Sequence, residues 1–210
     1  MLRTVNLFQI DYLKEHEEIL PYHFFRLRSR LIRDGYQKNP IIIDNKHKIV
    51  LDGHHRLNIL KSLGCSQIAA YSVDYLDNEE VQIETWYPTI IHSVIDPLRL
   101  YKKYCFDIDE KENSYSKLLY KERVFKLNLT REKAMRLIKS RAKIAYFYSE
   151  ESAKDMVKKR RAIAALSFGS ISKEEVINYA LLGKKFPPKT TRHIIPNRPK
   201  NCYVPLEKLK

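Results

Sequence analysis

Apolar and polar positions alternate closely enough over residues 4–10 to predict a strand with one buried face. Between 23 and 32 the period lengthens. Phe24, Leu27 and Leu31 recur at helical spacing among Arg26, Arg28, Arg30 and Arg33, and Asp34-Gly35 closes the helix. Two β-rich runs, 40–43 and 48–51, flank the polar turn Asp44-Asn45-Lys46-His47 and predict a hairpin. Leu57, Ile59, Leu60 and Leu63 restore a helical period that stops at Gly64. Residues 68–73 read as a strand, and an apolar stretch over 81–86 runs into Trp86-Tyr87-Pro88.

After Pro97 the pattern breaks into short alternating helices and strands as far as 170. Residues 149–166 predict one helix, with Ser149 or Ser152 near its cap and Glu150 and Glu151 in its first turn. Residues 172–182 predict another, with Ser172 at the cap, Glu174 and Glu175 behind it and Gly183 at the stop. Residues 184–193 carry no regular period. A short strand over 203–206 closes the chain. The charged stretch 107–117 is expected to be an exposed connector, and no internal repeat or low-complexity segment occurs.

The chain has 210 residues and 44% apolar content, enough for one large or two small domains with a real core. No run approaches the ~18 apolar residues of a membrane span. The opening Met1-Leu2-Arg3-Thr4-Val5-Asn6 lacks a signal peptide's apolar core. Cys65, Cys105 and Cys202 are odd in number and far apart, so they build neither a zinc site nor a disulfide framework, and a reduced, cytoplasmic setting is expected. The formal net charge is +14, from 39 Lys and Arg against 25 Asp and Glu. That charge suits nucleic acid and phosphorylated small substrates equally. The dense run Lys158-Lys159-Arg160-Arg161 reads either as a solvated helix face or as a polyanion patch.

Ile49-Val50-Leu51-Asp52-Gly53-His54-His55-Arg56 is the most informative stretch: a strand, a tight turn and a helix N-terminus. Such a junction presents backbone N–H groups and a positive helix end to an anion. Gly53 allows a backbone approach that a side chain would hinder, and Arg56 can fork onto phosphate. The bland alternative is a capped helix with a surface histidine pair. GxxxxGK[ST] and GxGxxG are both absent. Lys189-Thr190-Thr191-Arg192-His193, behind the stiff Pro187-Pro188, offers a second phosphate clamp or simply a solvated basic loop. Glu15-His16-Glu17-Glu18 offers a general base or first-turn acids. Trp86, the only tryptophan, is a ligand wall or core packing.

Asp52-Gly53-His54-His55-Arg56 resembles the motif at which the ParB/sulfiredoxin superfamily binds nucleotides. Thr85-Trp86-Tyr87-Pro88 and Pro188-Lys189-Thr190-Thr191-Arg192-His193-Ile194-Ile195-Pro196 resemble the free serine kinases, which phosphorylate the hydroxyl of L-serine. The likeness covers residues 1–96 and 184–209, with little match over 98–170. It implies an α+β fold: a ParB/sulfiredoxin-like nucleotide-binding module over 1–96 and a further mixed α/β region over 97–210, whose loop 184–196 returns to the active site. It implies a small-molecule kinase that transfers a terminal phosphate, from ATP by preference or from ADP, to L-serine. The product is O-phospho-L-serine for cysteine biosynthesis, and Mg²⁺ is the expected ion. On the residues, the family's catalytic glutamate falls on Glu17, with Glu18 adjacent and Glu15 where the family has proline. Asp52 falls at the reaction centre. Gly53, His54, His55, Arg56, Thr190, Thr191 and Arg192 fall on the phosphate-binding segments. Trp86, Arg192 and His193 fall beside the serine. A ParB-like nucleotide-dependent DNA-binding protein or nuclease is the alternative. The sulfiredoxin reading is set aside, because it needs a cysteine where this turn has histidine. The partners expected are L-serine and neither nucleic acid nor membrane.

Overall fold

The computed structural model describes residues 4–105 and 116–210. It opens on β1 (Asn6–Gln9) and α1 (Pro21–Asp34). Pro21 sits in the first turn of α1, where the missing N–H costs nothing, and Gly35 ends the helix in the left-handed region. Then come β2 (Tyr36–Gln37), β3 (Ile41–Asp44), β4 (Val50–Asp52), α2 (His54–Ser62) and β5 (Gln67–Val73). The middle of the chain supplies β6 (Gln82–Thr85), β7 (Tyr87–Ser93), α3 (Pro97–Tyr101), β8 (Ser116–Tyr120), β9 (Arg123–Leu127), α4 (Arg131–Lys139), β10 (Ala142–Phe147), α5 (Glu150–Lys158) and β11 (Ala164–Ser167). The last elements are α6 (Lys173–Leu181), β12 (Thr191–Ile194) and β13 (Val204–Pro205). The mixture of helices and strands is the α+β class that the sequence predicts. Among the described residues no helix is long and apolar enough to cross a membrane.

The chain divides into two compact units. The first comprises Met1–Ile83, Ser172–Pro188 and His193–Lys210; the second comprises Glu84–Ile171 and Lys189–Arg192. In the first unit a four-stranded sheet runs in the order β1-β5-β3-β4. β3 and β5 are parallel, and the outer pairs are antiparallel. All four residues of β3 are buried, so this strand is apolar without alternation, as a strand covered on both faces must be. Ile41, Ile43, Val50, Leu57, Ile59, Leu60 and Ile68 form the centre of its core. Each contributes on the order of 1.5–3 kcal/mol of burial free energy. Asp44, itself buried, closes the predicted hairpin by accepting from the backbone N–H of His47 at 2.6 Å. The α2 helix of this unit carries the apolar face predicted from its period.

In the second unit a five-stranded antiparallel sheet runs in the order β10-β7-β11-β8-β9. Ile90, Leu118, Ala164 and Leu166 form its floor, and Met135 and Ile138 of α4 pack on it. Pro88 lies inside the interior strand β7. Its missing N–H is tolerated because the pairing of β7 with β11 begins one residue later, at Thr89.

Two sequence expectations change. The helix expected over 149–166 stops at Lys158, and Ala164–Ser167 is the strand β11. Arg160 breaks the helix with φ 53. The apolar run 162–166 satisfies a buried helix or a buried strand equally by period. Pairing partners on both sides, β7 and β8, decide for the strand. The helix predicted over 172–182 stands as α6, with a complete capping box between Ser172 and Glu175. The aperiodic tail contains a strand after all, β12, which pairs with β6. Of the expected connector, 107–115 lies outside the described residues, and Ser116 and Lys117 open β8.

Candidate active site

In the first unit the site is built on the β4–α2 junction. Gly53 takes φ 109, and a Cβ there would stand 2.5 Å from Cγ2 of Ile41, so the turn admits no side chain without a shift. No side chain caps α2, whose first N–H groups lack intrahelical acceptors. Asp52 ends β4 with its side chain half-exposed. Its Oδ2 accepts from Arg198 Nη1 at 2.7 Å and lies 3.5 Å from Arg56 Nη2. Arg198 Nη2 also donates to the carbonyl oxygen of His193. Arg198 therefore ties the turn to the chain following β12. Arg56 looks inward instead: its Nη1 donates to the carbonyls of Asn39 and Pro40 at 3.1 and 2.8 Å.

The histidines differ from one another. His55 Nε2 accepts from the backbone N–H of Leu20 at 3.0 Å, which assigns the ring proton to Nδ1. His54 turns into the interior. Its ring meets the ring of His16 at 4.6 Å, and His16 meets His193 at 5.4 Å. His193 Nε2 hydrogen-bonds the buried Tyr75 hydroxyl at 2.9 Å. Burial lowers the pKa of His16 to about 4. Burial, followed by the repulsion a protonated ring would meet from His16 and from neighbouring cations, holds His54 and His193 well below the usual histidine range. All three are neutral at pH 7, so they can offer hydrogen bonds but no charge.

The acidic segment before α1 also separates into roles. Glu15 is committed: it accepts from Asn58 Nδ2 at 2.6 Å and pairs with Lys61 at 3.4 Å and Lys185 at 3.1 Å. Glu17 bridges Phe186 through its backbone and is half-buried. Glu18 donates its backbone N–H to Phe186 at 2.9 Å, and its side chain is exposed.

In the second unit, Trp86 Nε1 donates to the carbonyl of Thr191 at 3.0 Å. Lys189 stands 4.6 Å over the indole. Arg192 lies 6.0 Å from the same ring and 5.2 Å from that of Tyr148, and forms an ion pair with Glu84. Arg131 fixes the loop from the other side, donating to the carbonyl oxygens of Thr190 and Gly169 at 3.1 and 2.7 Å. Thr190 and Thr191 are buried. The structure thus joins Asp52 to Arg56 in one unit, and Trp86 to Thr191 and Arg192 in the other.

Comparison with known proteins was made on this geometry. Over 97% of its length the chain is 31% identical to the ATP-dependent L-serine kinase of Staphylothermus marinus, covering 90% of that protein. The chain belongs to the L-serine kinase family. It is accordingly a small-molecule kinase by descent. A ParB-like protein of Sulfolobus acidocaldarius is 28% identical over 94% of the chain and 91% of its own length, in keeping with the ParB/sulfiredoxin character of the Asp52 turn. A free serine kinase variant solved in complex with ADP superposes with a TM-score of 0.84 at 22% identity, covering 98% of this chain and 94% of that one. No protein-family profile matches the chain.

Several residues of this family member were not singled out from the sequence. Arg198, Glu84, Arg131, Tyr148 and Tyr75 emerge only from their contacts. Arg198 alone left a trace, as an arginine in Pro196-Asn197-Arg198-Pro199 directly behind the clamp motif. Among the described residues no group of three or more His, Cys, Asp and Glu side chains could hold a metal. Asp52 engages arginine through Oδ2 only, so its Oδ1 could serve as one carboxylate ligand of a Mg²⁺.

Proposed function

We propose that this chain transfers the terminal phosphate of a nucleotide, ATP in preference to ADP, to the hydroxyl of L-serine. The product is O-phospho-L-serine, destined for cysteine biosynthesis in the cytoplasm. The head of α2 carries the reading: an uncapped helix N-terminus, entered through a glycine that tolerates no Cβ, with an arginine-held aspartate beside it. Backbone amides there suit phosphate oxygens. The relative from Staphylothermus supports the acceptor and the donor through its name, and the three unpaired cysteines suit a reducing compartment.

Glu17 is the base. Glu15 is spent on three partners and the Glu18 side chain is exposed, whereas Glu17 is half-buried. Serine Oγ gives its proton to Glu17 and attacks the terminal phosphorus. A new O–P bond forms, the bond to the bridging oxygen breaks, and the shortened nucleotide leaves. Asp52 would hold a Mg²⁺, which would supply neutralisation of phosphate charge. Gly53, His54, His55 and Arg56 shape the phosphate turn. Arg56 and His54 act from behind it, since one is anchored to carbonyls and the other is buried. Thr190 and Thr191 shape the second phosphate segment. Arg192 exchanges Glu84 for the serine carboxylate, His193 contributes a neutral imidazole, and Trp86 walls the Cβ side.

Phosphorus NMR of reactions with L-serine and either ATP or ADP tests the reading. Phosphoserine from ATP is expected, and its absence with both donors removes the proposal. A DNA-binding role is the second reading, favoured by the net charge of +14 and the ParB-like relative. Salt-sensitive retention of duplex DNA would identify it.

A further inference from the structure

The second unit holds a cavity of about 930 Å³, far from Trp86 along the sheet. It opens at Ile91, four residues along β7 from Tyr87, a distance of about 13 Å at the usual strand rise. Ile91, Phe125, Val157 and Ile163 give it an apolar floor. Its rim is cationic: Lys121 and Arg123 come from the β8–β9 hairpin, and Lys158, Arg160 and Arg161 come from the end of α5 and the turn beyond. Among the described residues Glu122 is the only acid lining it.

These cations differ from their neighbours on the same helix. Lys154 and Lys159 pair with Glu150 and Asp155, each at 2.7 Å. None of the five rim cations forms an ion pair among the described residues. Compensation of the helix dipole accounts for Lys158 in the last turn of α5, but not for two cations on a hairpin or two beyond the helix. The backbone bends to hold two of them as well. Lys121 and Arg160 take φ 55 and 53, the left-handed region that non-glycine residues rarely adopt. Five like charges around one concavity repel one another and raise the local concentration of anions. The volume falls in the range of small-molecule sites, roughly 300–1,000 Å³, and the apolar floor calls for a ligand with a flat or apolar body.

We propose that this cavity binds a nucleoside polyphosphate, its base on the floor and its phosphates among the cations. Its lining shares no residue with the α2 turn, and it does not depend on the assignment of the acceptor. Equilibrium dialysis with labelled ATP tests it on the full chain. Two nucleotides per chain are expected for the parent, and one for the variant Arg123→Ala/Arg160→Ala/Arg161→Ala. The variant should keep its rate of serine phosphorylation. The single change Lys121→Glu, on an exposed turn, keeps the test open if the triple variant fails to fold; it should weaken the second site about tenfold, the effect of one charge-assisted contact. One nucleotide per parent chain that the triple variant still binds, or two retained by either variant with undiminished affinity, overturns the proposal. So does a triple variant that loses duplex DNA binding when parent and variant alike bind one nucleotide, because the rim would then belong to a nucleic-acid surface.

Discussion

Arg198 and Arg192 each hold a carboxylate, in very different settings. In the first unit Arg198 bonds Asp52 and the carbonyl of His193 with two separate nitrogens, a fork with both prongs occupied. In the second, Arg192 meets Glu84 at the surface, and its remaining contacts are the faces of Trp86 and Tyr148. Backbone carbonyls cannot leave, so Arg198 fixes geometry. Ring faces and a half-exposed acid release their partner at little cost, so Arg192 is free to exchange it for an arriving anion. On the proposed reading, the first unit positions the reacting groups and the second receives the substrate. Changes in the first should therefore lower kcat, and changes in the second should raise KM.

The largest effect is expected at the base. Glu17→Gln should lower kcat about 100- to 10,000-fold with the fold intact, while Glu18→Gln stays within a few-fold of the parent. Steady-state rates beside a thermal melt decide it, and full activity in Glu17→Gln would remove the assignment. Next comes acid stability. His16 has its pKa lowered from 6.5 to about 4 by burial, so between those values the unfolded chain takes up a proton that the folded chain refuses. Stability is present above pH 6.5 and is lost as pH falls toward 4, by on the order of 3 kcal/mol from His16 alone. His54 and His193 act in the same direction. Urea titrations across this range should show the slope, and His16→Gln should flatten it. An unchanged slope in that variant would assign the acid lability elsewhere.

Arg198→Ala should cost about 10- to 100-fold in kcat/KM, carried by kcat, as expected for a lost hydrogen bond to a charged group. Arg198→Lys should not rescue it, because one ammonium cannot serve both Asp52 and the carbonyl in fork geometry. A loss carried by KM instead would erase the contrast between the units. The smallest change is Trp86→Phe, which keeps a ring beneath Lys189 and Arg192 and removes only the hydrogen bond to Thr191. KM for serine should rise by a factor of about 2–10 with kcat unchanged.

Much of the first unit was legible in the chain. The β3–β4 hairpin, α2, its stop at Gly64 and the turn at Asp52 all announce themselves through short-range signals: period, turn residues and caps. The capping box of α6 did the same. The strand β11 did not, because five consecutive apolar residues have no period to read. β12 did not either, since a strand of four residues that is partnered only by β6 leaves no mark on its own stretch of sequence. Within the site, types and spacing nominated Asp52, Gly53, Trp86 and Arg192. They could not distinguish three glutamates in one segment, which the side-chain partners of Glu15 and the exposure of Glu18 now separate.

By itself, the sequence determined the elements whose cause is local and the residue types available for phosphate chemistry. Tertiary structure alone decided the state of each group. His54, read as part of the phosphate turn, is neutral, because burial removes the water that would stabilise its charge. An arginine in the motif is a brace for two carbonyls. An arginine outside it, Arg198, holds the aspartate, because hydrogen bonds join residues 146 positions apart that no sequence period relates.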